Sequence, residues 1–176
     1  MAKAKILIGV TGGIAAYKSA TLVSQLVQAD YQVQVVMTQS AHQFIGPATF
    51  FALTGRKVCT DMFDPDFPLG PHIELAREYD LMCVAPATAN FLSKAAHGAS
   101  DDLLSTLFLC FTGPVILAPA MNCEMWENAA TQANVGILTE RKIELVGPES
   151  GWLSCRTTGI GRMSEPETIR AVIEKH

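Results

Sequence analysis

Charge is sparse in this sequence: Asp, Glu, Lys and Arg make up only 17% of its 176 residues, and the lysines and arginines never cluster. A net charge of -4 without a basic stripe leaves no electrostatic footprint for nucleic acid, which is excluded as a partner. Long apolar runs are missing as well. Even LLSTLFLCF (103–111) falls far short of the roughly 20 residues that span a bilayer. The N-terminal KILIGV breaks at Thr11-Gly12-Gly13 with no small-residue cleavage pattern behind it, so it reads as a first strand and not as a signal peptide. No membrane partner and a cytoplasmic location are expected. The five cysteines are odd in number and scattered, with no CxxC and no Cys/His zinc spacing, so neither a disulfide framework nor a metal site is indicated. Cys83 in LMCVA and Cys110 in LFLCF read as small buried hydrophobes. The GxGxxG fingerprint is also lacking, and the second strand ends in Met37-Thr38-Gln39-Ser40, with no acid to hold a ribose 2′-OH.

What is present is a hydrophobic fraction of 49% in a chain of ordinary single-domain length, enough for a sizeable core. One domain over residues 1–176 is expected. KILIGV, a glycine turn, a helical pattern from Ile14 to Ala29 and VQVVMT make a βαβ opening. Further strands are predicted at Asp80–Ala85, Pro114–Ala118 and Ile143–Val146, and helices around Asn90–Ala96, Asp101–Phe111 and Glu124–Asn134. Strands alternating with helices give an α/β fold with a parallel sheet covered on both faces. Near the end, Ser164 and Glu167 have the spacing of a capping box before a helix that runs to about Lys175.

In such sheets ligands bind beyond the C-terminal ends of the strands, so the residues there carry the functional reading. They are Thr11-Gly12-Gly13, Thr38-Gln39-Ser40, Pro86 to Asn90, Pro119 to Asn122, and Gly147 to Arg162. Small, hydroxyl and amide groups dominate, which suits a phosphate and a planar ring. Gly12 and Gly13 let backbone amides approach an anion at a helix N-terminus, although tight packing alone also explains such a turn. With hydroxyls and no acid for ribose, a mononucleotide such as FMN fits better than a dinucleotide. In PAMNCEMW (119–126), Asn122 offers an acceptor and two donors to a polar ligand among water-excluding side chains. His72, in PHIELA, is the best-placed general base, with a plain capping or surface role as the alternative. The Pro- and Asp-rich stretch 61–72 before it reads as a mobile loop able to serve as a flap. Cys155 lies among Gly, Ser and Thr with Arg156 and Arg162 nearby, the setting of a reactive thiol able to deliver a proton.

Taken together and in order, GVTGGIAAYK, HIELA, APATAN, PAMNCEMW and LSCRTTGIGRM resemble the flavin-dependent cysteine decarboxylase family over nearly the whole chain. Within it they are most similar to the group that converts 4′-phosphopantothenoylcysteine to 4′-phosphopantetheine in coenzyme A biosynthesis. The resemblance implies a Rossmann-like, flavodoxin-like three-layer sandwich. It also implies a homo-oligomer, a trimer or a dodecamer of trimers, with FMN bound between subunits. By position, Gly12, Gly13, Thr38, Ser40, Ala87, Thr88, Ala89 and Asn90 correspond to FMN contacts, and His72 to the active-site histidine. Asn122 would hold the substrate carboxylate, with Met125 and Trp126 completing its pocket. The implied chemistry oxidises the substrate thiol, releases carbon dioxide and reduces the resulting enethiolate, with Cys155 as proton donor.

Relatives that decarboxylate the C-terminal cysteine of peptides stop at the oxidised enethiol and lack the cysteine-bearing segment, so Cys155 argues against that alternative. PAMNCEMW argues against a flavin prenyltransferase of the same fold, and the lack of acidic extensions argues against a phosphatase-binding regulatory relative. The chain departs from the group's commoner ACG with Ser154-Cys155-Arg156, which loses a glycine from the loop. Bifunctional relatives carry a C-terminal synthetase domain, so either a monofunctional chain or a piece of a longer one is expected.

Overall fold

Strands buried on both faces read as continuous apolar runs, and those runs become the middle of the sheet. The computed structural model describes residues 3–176. In chain order the elements are β1 (Lys5–Val10), α1 (Ala16–Gln28), β2 (Gln32–Met37), α2 (Pro47–Thr54), α3 (Pro71–Glu78), β3 (Leu81–Ala87), α4 (Ala89–His97), α5 (Leu103–Cys110), β4 (Val115–Pro119), α6 (Cys123–Glu127), α7 (Ala129–Glu140), β5 (Glu144–Leu145), β6 (Glu149–Trp152), β7 (Thr158–Arg162) and α8 (Pro166–Ile173). The first five strands form a parallel sheet in the order β2-β1-β3-β4-β5, in which Ile6 pairs with Val33 on one side and Leu81 on the other. This is the flavodoxin-like order, and its direction reverses between β1 and β3.

Alternation along each strand feeds two cores. Ile6, Ile8 and Val10 pack with Leu22 and Leu26 of α1, Phe50 of α2 and Ile169 of α8 on one face. Leu7, Met82 and Val84 pack with Leu75, Leu92, Leu104 and Leu138 from α3, α4, α5 and α7 on the other. The result is the three-layer sandwich. α8 is tied to α1 by Gln25, whose Nε2 donates to Glu167 Oε1 at 2.5 Å.

Several local expectations need correction. The helix expected over Glu124–Asn134 is two helices, because extended Asn128 turns its side chain to accept from Ala130 N at 2.9 Å and restarts the chain as α7. Ser164 is not a cap. It is buried against Gly147, the N-cap falls on Glu165 with no side-chain cap bond, and Pro166 begins the helix. The segment Gly147 to Arg162 contains an antiparallel hairpin, β6–β7, that forms its own two-stranded sheet. Cys110 is exposed at the end of α5, whereas Cys83 is fully buried, with its thiol pushed up to about 12 by desolvation. The loop at 61–72 is anchored: Lys57 Nζ lies 2.9 Å from the buried carboxylate of Asp64, and Met62 and Phe67 pack on the second core.

Gly9 shows how tightly the sheet centre is filled. A Cβ there would stand 2.7 Å from Leu104 Cδ1 and 3.0 Å from Val84 Cγ2, both on fully enclosed side chains. Gly9→Ala is therefore expected to destabilise by about 1–3 kcal/mol through overpacking, and Leu104→Ala by about 2–5 kcal/mol through a cavity. In urea unfolding the double variant should cost less than the sum of the two, because each change relieves the other; strict additivity would show that the two sites do not touch.

Candidate active site

The site is assembled by one buried hydroxyl. Thr11 follows β1, and its Oγ1 donates to Pro86 O at 2.6 Å while accepting from Thr88 N at 3.1 Å. These bonds stitch the first βα turn to the end of β3, at the point where the strand order reverses. Ser19 Oγ of α1 adds a bond to Ala85 O at 2.5 Å. Gly12 completes the junction, since a Cβ there would lie 2.5 Å from Ser40 Cβ after β2. The turns after β1, β2 and β3 thus converge because their small residues leave no room to separate.

Above this junction opens a cavity of about 990 Å³, lined by Gly12, Gly13, Ser40, Thr88, Ala89, Asn90, Asn122, Met125 and Cys155 among others. A second cavity of about 480 Å³ adjoins it through Ser40, Thr88 and Asn90 and includes Thr38. Gly13 has ordinary space for a Cβ, 3.5 Å from Thr88 Cγ2, so packing within the chain does not demand its glycine. Room in front of that backbone suits close approach of a ligand. α1 starts with no side-chain cap and no acidic first turn, which keeps its N-terminus favourable to an anion. In the smaller cavity Lys94 is already paired with Asp101 and Asp102, each at 2.6 Å.

Asn122 is the N-cap of α6, and its Oδ1 accepts from Met125 N at 2.9 Å. An N–H can only donate, so this bond fixes which way the amide faces and turns its NH₂ outward. One of those hydrogens meets Glu124 Oε2 at 2.6 Å. The backbone N–H of Glu124 holds that carboxyl below its usual range.

Cys155 sits at the exposed tip of the β6–β7 hairpin, with Sγ 3.1 Å from Thr157 Oγ1. The turn is closed by Arg156 N to Leu153 O at 2.9 Å, and Arg156 is left-handed, with φ of 68°. That conformation favours glycine, which explains why Arg156 is the costly departure in the loop. β7 is docked by Met121 N, which donates to Gly161 O at 3.0 Å, and no Cβ would fit at Gly161 against Met121 O.

Not every expected site residue reaches the cavity. Ala87 is buried in the sheet, where its carbonyl accepts from Ala120 N at 3.1 Å. Trp126 packs on the second core, bracing α6; Trp152 of the hairpin, 65% exposed, is the tryptophan that lines the cavity. His72, at the start of α3, does not line the cavity of its own chain, and its Nδ1 is buried without a partner. The loop 61–72 contributes nothing to the lining either. Residues missed by sequence reasoning include Ile14, Tyr17 and Lys18, which line the cavity from α1 and its approach. Their i, i+3, i+4 spacing was the available signal.

Fold and site together define a flavodoxin-like α/β protein with its ligand crevice at the switch point. The Flavoprotein family model matches residues 1–176, and the chain belongs to that family, which makes its cofactor a flavin. It is 46% identical over 176 residues to the coenzyme A biosynthesis bifunctional protein CoaBC of Mycobacterium tuberculosis, covering 98% of this chain and 42% of that protein. The CoaBC protein of Bacillus subtilis is 45% identical over 172 residues, covering 97% of this chain and 42% of that one. The chain thus spans about two fifths of the length of these relatives. Among solved structures it is similar to a cysteine-to-serine mutant of PPC decarboxylase complexed with pantothenoylaminoethenethiol, with a TM-score of 0.88, 31% identity and coverage of 98% of this chain and 97% of that one. The FMN-dependent cysteine decarboxylase SpaF gives 0.84 at 30% identity, with 99% of each chain covered.

Thr11→Val keeps the shape of the junction but strips Pro86 O and Thr88 N of their shared partner. A loss of about 1–3 kcal/mol is expected in denaturant unfolding, with flavin retained less well through gel filtration; wild-type values for both would remove Thr11 from this role.

Proposed function

We propose that this chain is an FMN-dependent decarboxylase that converts 4′-phosphopantothenoylcysteine to 4′-phosphopantetheine in coenzyme A biosynthesis. The observation that carries the reading is that Asn122, with its amide orientation fixed, and Cys155 face one cavity at the switch point of a flavoprotein fold. The residues present fit FMN: Gly12, Gly13, Thr38, Ser40, Thr88, Ala89 and Asn90 offer backbone amides, hydroxyls and an amide for a phosphate and ribityl chain. When bound, the flavin supplies a two-electron acceptor that can later return its hydride.

The protein's own groups then divide the work. Asn122 presents an N–H to the substrate carboxylate, a pairing that Glu124 already displays at 2.6 Å. Met125 covers that end of the cavity. The substrate thiol gives up a proton, with His72 as the base, and a hydride, becoming a thioaldehyde. Carbon dioxide then leaves, and its bonding pair delocalises onto sulfur as an enethiolate. Cys155 Sγ–H returns a proton to the carbon that carried the carboxylate, hydride addition to the thioaldehyde carbon gives the product thiolate, and the proton held on His72 returns to its sulfur. The sum is loss of carbon dioxide alone. A peptide cysteine decarboxylase does not need the last two steps, and the exposed thiol on the cavity wall favours the full cycle.

His72 can take part only in the cavity of another copy, which supports a homo-oligomer, a trimer or a dodecamer of trimers, with sites shared between subunits. The exposed apolar side chains at the rim, Ile14, Tyr17 and Phe44, fit cover by a partner. Five free cysteines, two of them exposed, fit the reducing cytoplasm.

Asn122→Asp places a like charge against the substrate carboxylate and is expected to abolish turnover with flavin still bound. His72→Asn is expected to be inactive through a different half of the site. Co-expressed, the two inactive variants should recover about one quarter of wild-type turnover by random assortment of shared sites. No recovery would contradict the shared site, and turnover by Asn122→Asp alone would remove Asn122 from its role.

A further inference from the structure

The hairpin that carries Cys155 belongs to a separate two-stranded sheet, so the main sheet's hydrogen-bond ladder does not hold it in place. Besides the backbone contact of Gly161 with Met121, a cluster of charges attaches it at its base. Lys18 of α1 is buried, and its Nζ donates to Met163 O at 3.2 Å and to Glu165 Oε1 at 2.9 Å. The same Glu165 oxygen lies 3.7 Å from Arg162 Nη1 at the end of β7, and Arg162 Nη2 reaches Glu149 Oε2 on β6 at 3.3 Å. Glu165 occupies the N-cap of α8 yet gives that helix no side-chain cap bond. Glutamate is not among the residues that ordinarily cap, and this one reaches to Lys18 and Arg162 instead. Lys18 is the buried member, its side chain 11% exposed against 44% for Glu165, so loss of the Glu165 carboxylate leaves the Lys18 ammonium as the uncompensated charge. Lys18, Arg162 and Glu165 also line the same cavity as Cys155.

We propose that Glu165 is a positioning residue for Cys155: by bridging Lys18 of α1 and Arg162 of β7, its carboxylate fixes the hairpin over the cavity so that the thiol reaches the decarboxylated intermediate. This rests on the function proposed above. The step at stake adds one proton and one hydride to the enethiolate. The proton breaks from Cys155 Sγ and bonds to the carbon vacated by carbon dioxide, and the hydride returns from the carrier reduced earlier in the same turnover. A hairpin free to swing exposes the enethiol to release before that proton arrives. The product is then short of two hydrogens, while carbon dioxide has still been lost.

The test uses Glu165→Gln, which keeps shape and removes charge, and Arg162→Met, which frees β7 and leaves the Lys18–Glu165 pair intact. Two readouts are taken. Amide hydrogen exchange on the flavin-loaded protein without substrate follows Leu153 N, which donates to Thr157 O at 2.8 Å, and Met121 N, which donates to Gly161 O at 3.0 Å. Mass spectrometry of the product follows the ratio of fully reduced thiol to the species two hydrogens lighter. In both variants, exchange at these amides is expected to rise about ten-fold relative to β1 and β3, and the lighter product to become the larger share. A wild-type value for either readout overturns the proposal: unchanged exchange means that the cluster does not hold the hairpin, and an unchanged ratio means that it holds the hairpin for structural reasons alone. Wild-type protein that releases no carbon dioxide from the substrate overturns the functional reading instead, and the exchange result then stands by itself on whether Glu165 fixes the hairpin.

Discussion

The bonds made by Thr11 Oγ1 to Pro86 O and Thr88 N are the constraint on which the rest of the site depends. A parallel sheet sends its chain out at the C-terminal ends of the strands, and where the order reverses, two consecutive turns would diverge and leave polar backbone exposed in a crevice. Here one hydroxyl closes that gap from β1 to β3. With the junction closed, Gly12 can rest on Ser40, the N-termini of α1 and α4 open on the same space, and the crevice gains walls of hydroxyl and amide groups. That is an environment suited to the flavin of this family.

The second half of the site is built on different principles. PAMNCEMW supplies a turn in which helix capping sets the amide of Asn122, while Trp126, half-buried, packs on the second core. The β6–β7 hairpin supplies a thiol at the end of a short lever. That lever carries strain at left-handed Arg156, of order 1–2 kcal/mol, and is held at its base by ion pairs and by backbone contact at Gly161, where no side chain would fit. On the proposed function, the PAMNCEMW turn would orient the substrate throughout and the hairpin thiol would be needed only after carbon dioxide has gone.

The sheet and its main helices were legible because they rest on periodicity. KILIGV, VQVVMT, DLMCVA and PVILA are mainly apolar, and they form the first four strands of the five-stranded sheet. The hairpin was not legible, since ESGW and TGIGR alternate glycine with exposed residues and carry no apolar run. α2 went unseen because PATFFALT is apolar nearly throughout and lacks a polar face to set a period. Asn128 and Ser164 misled for one reason: short polar side chains choose their partners by tertiary position, and the sequence does not say which backbone group will be near. Asn122, Cys155 and the glycine turn stood out in the sequence as candidate site residues. Their convergence needed the fold, and so did the finding that His72 faces away from its own cavity while Trp152 replaces Trp126 in the lining.

The central claim is that one cavity both removes carbon dioxide and returns the electrons it borrowed. Its most direct test is mass spectrometry of the product formed when purified, flavin-loaded wild-type protein meets 4′-phosphopantothenoylcysteine without oxygen. The account predicts a product lighter by carbon dioxide alone, with the flavin ending oxidised as it began. A product that also lacks two hydrogens, left beside reduced flavin, would contradict it.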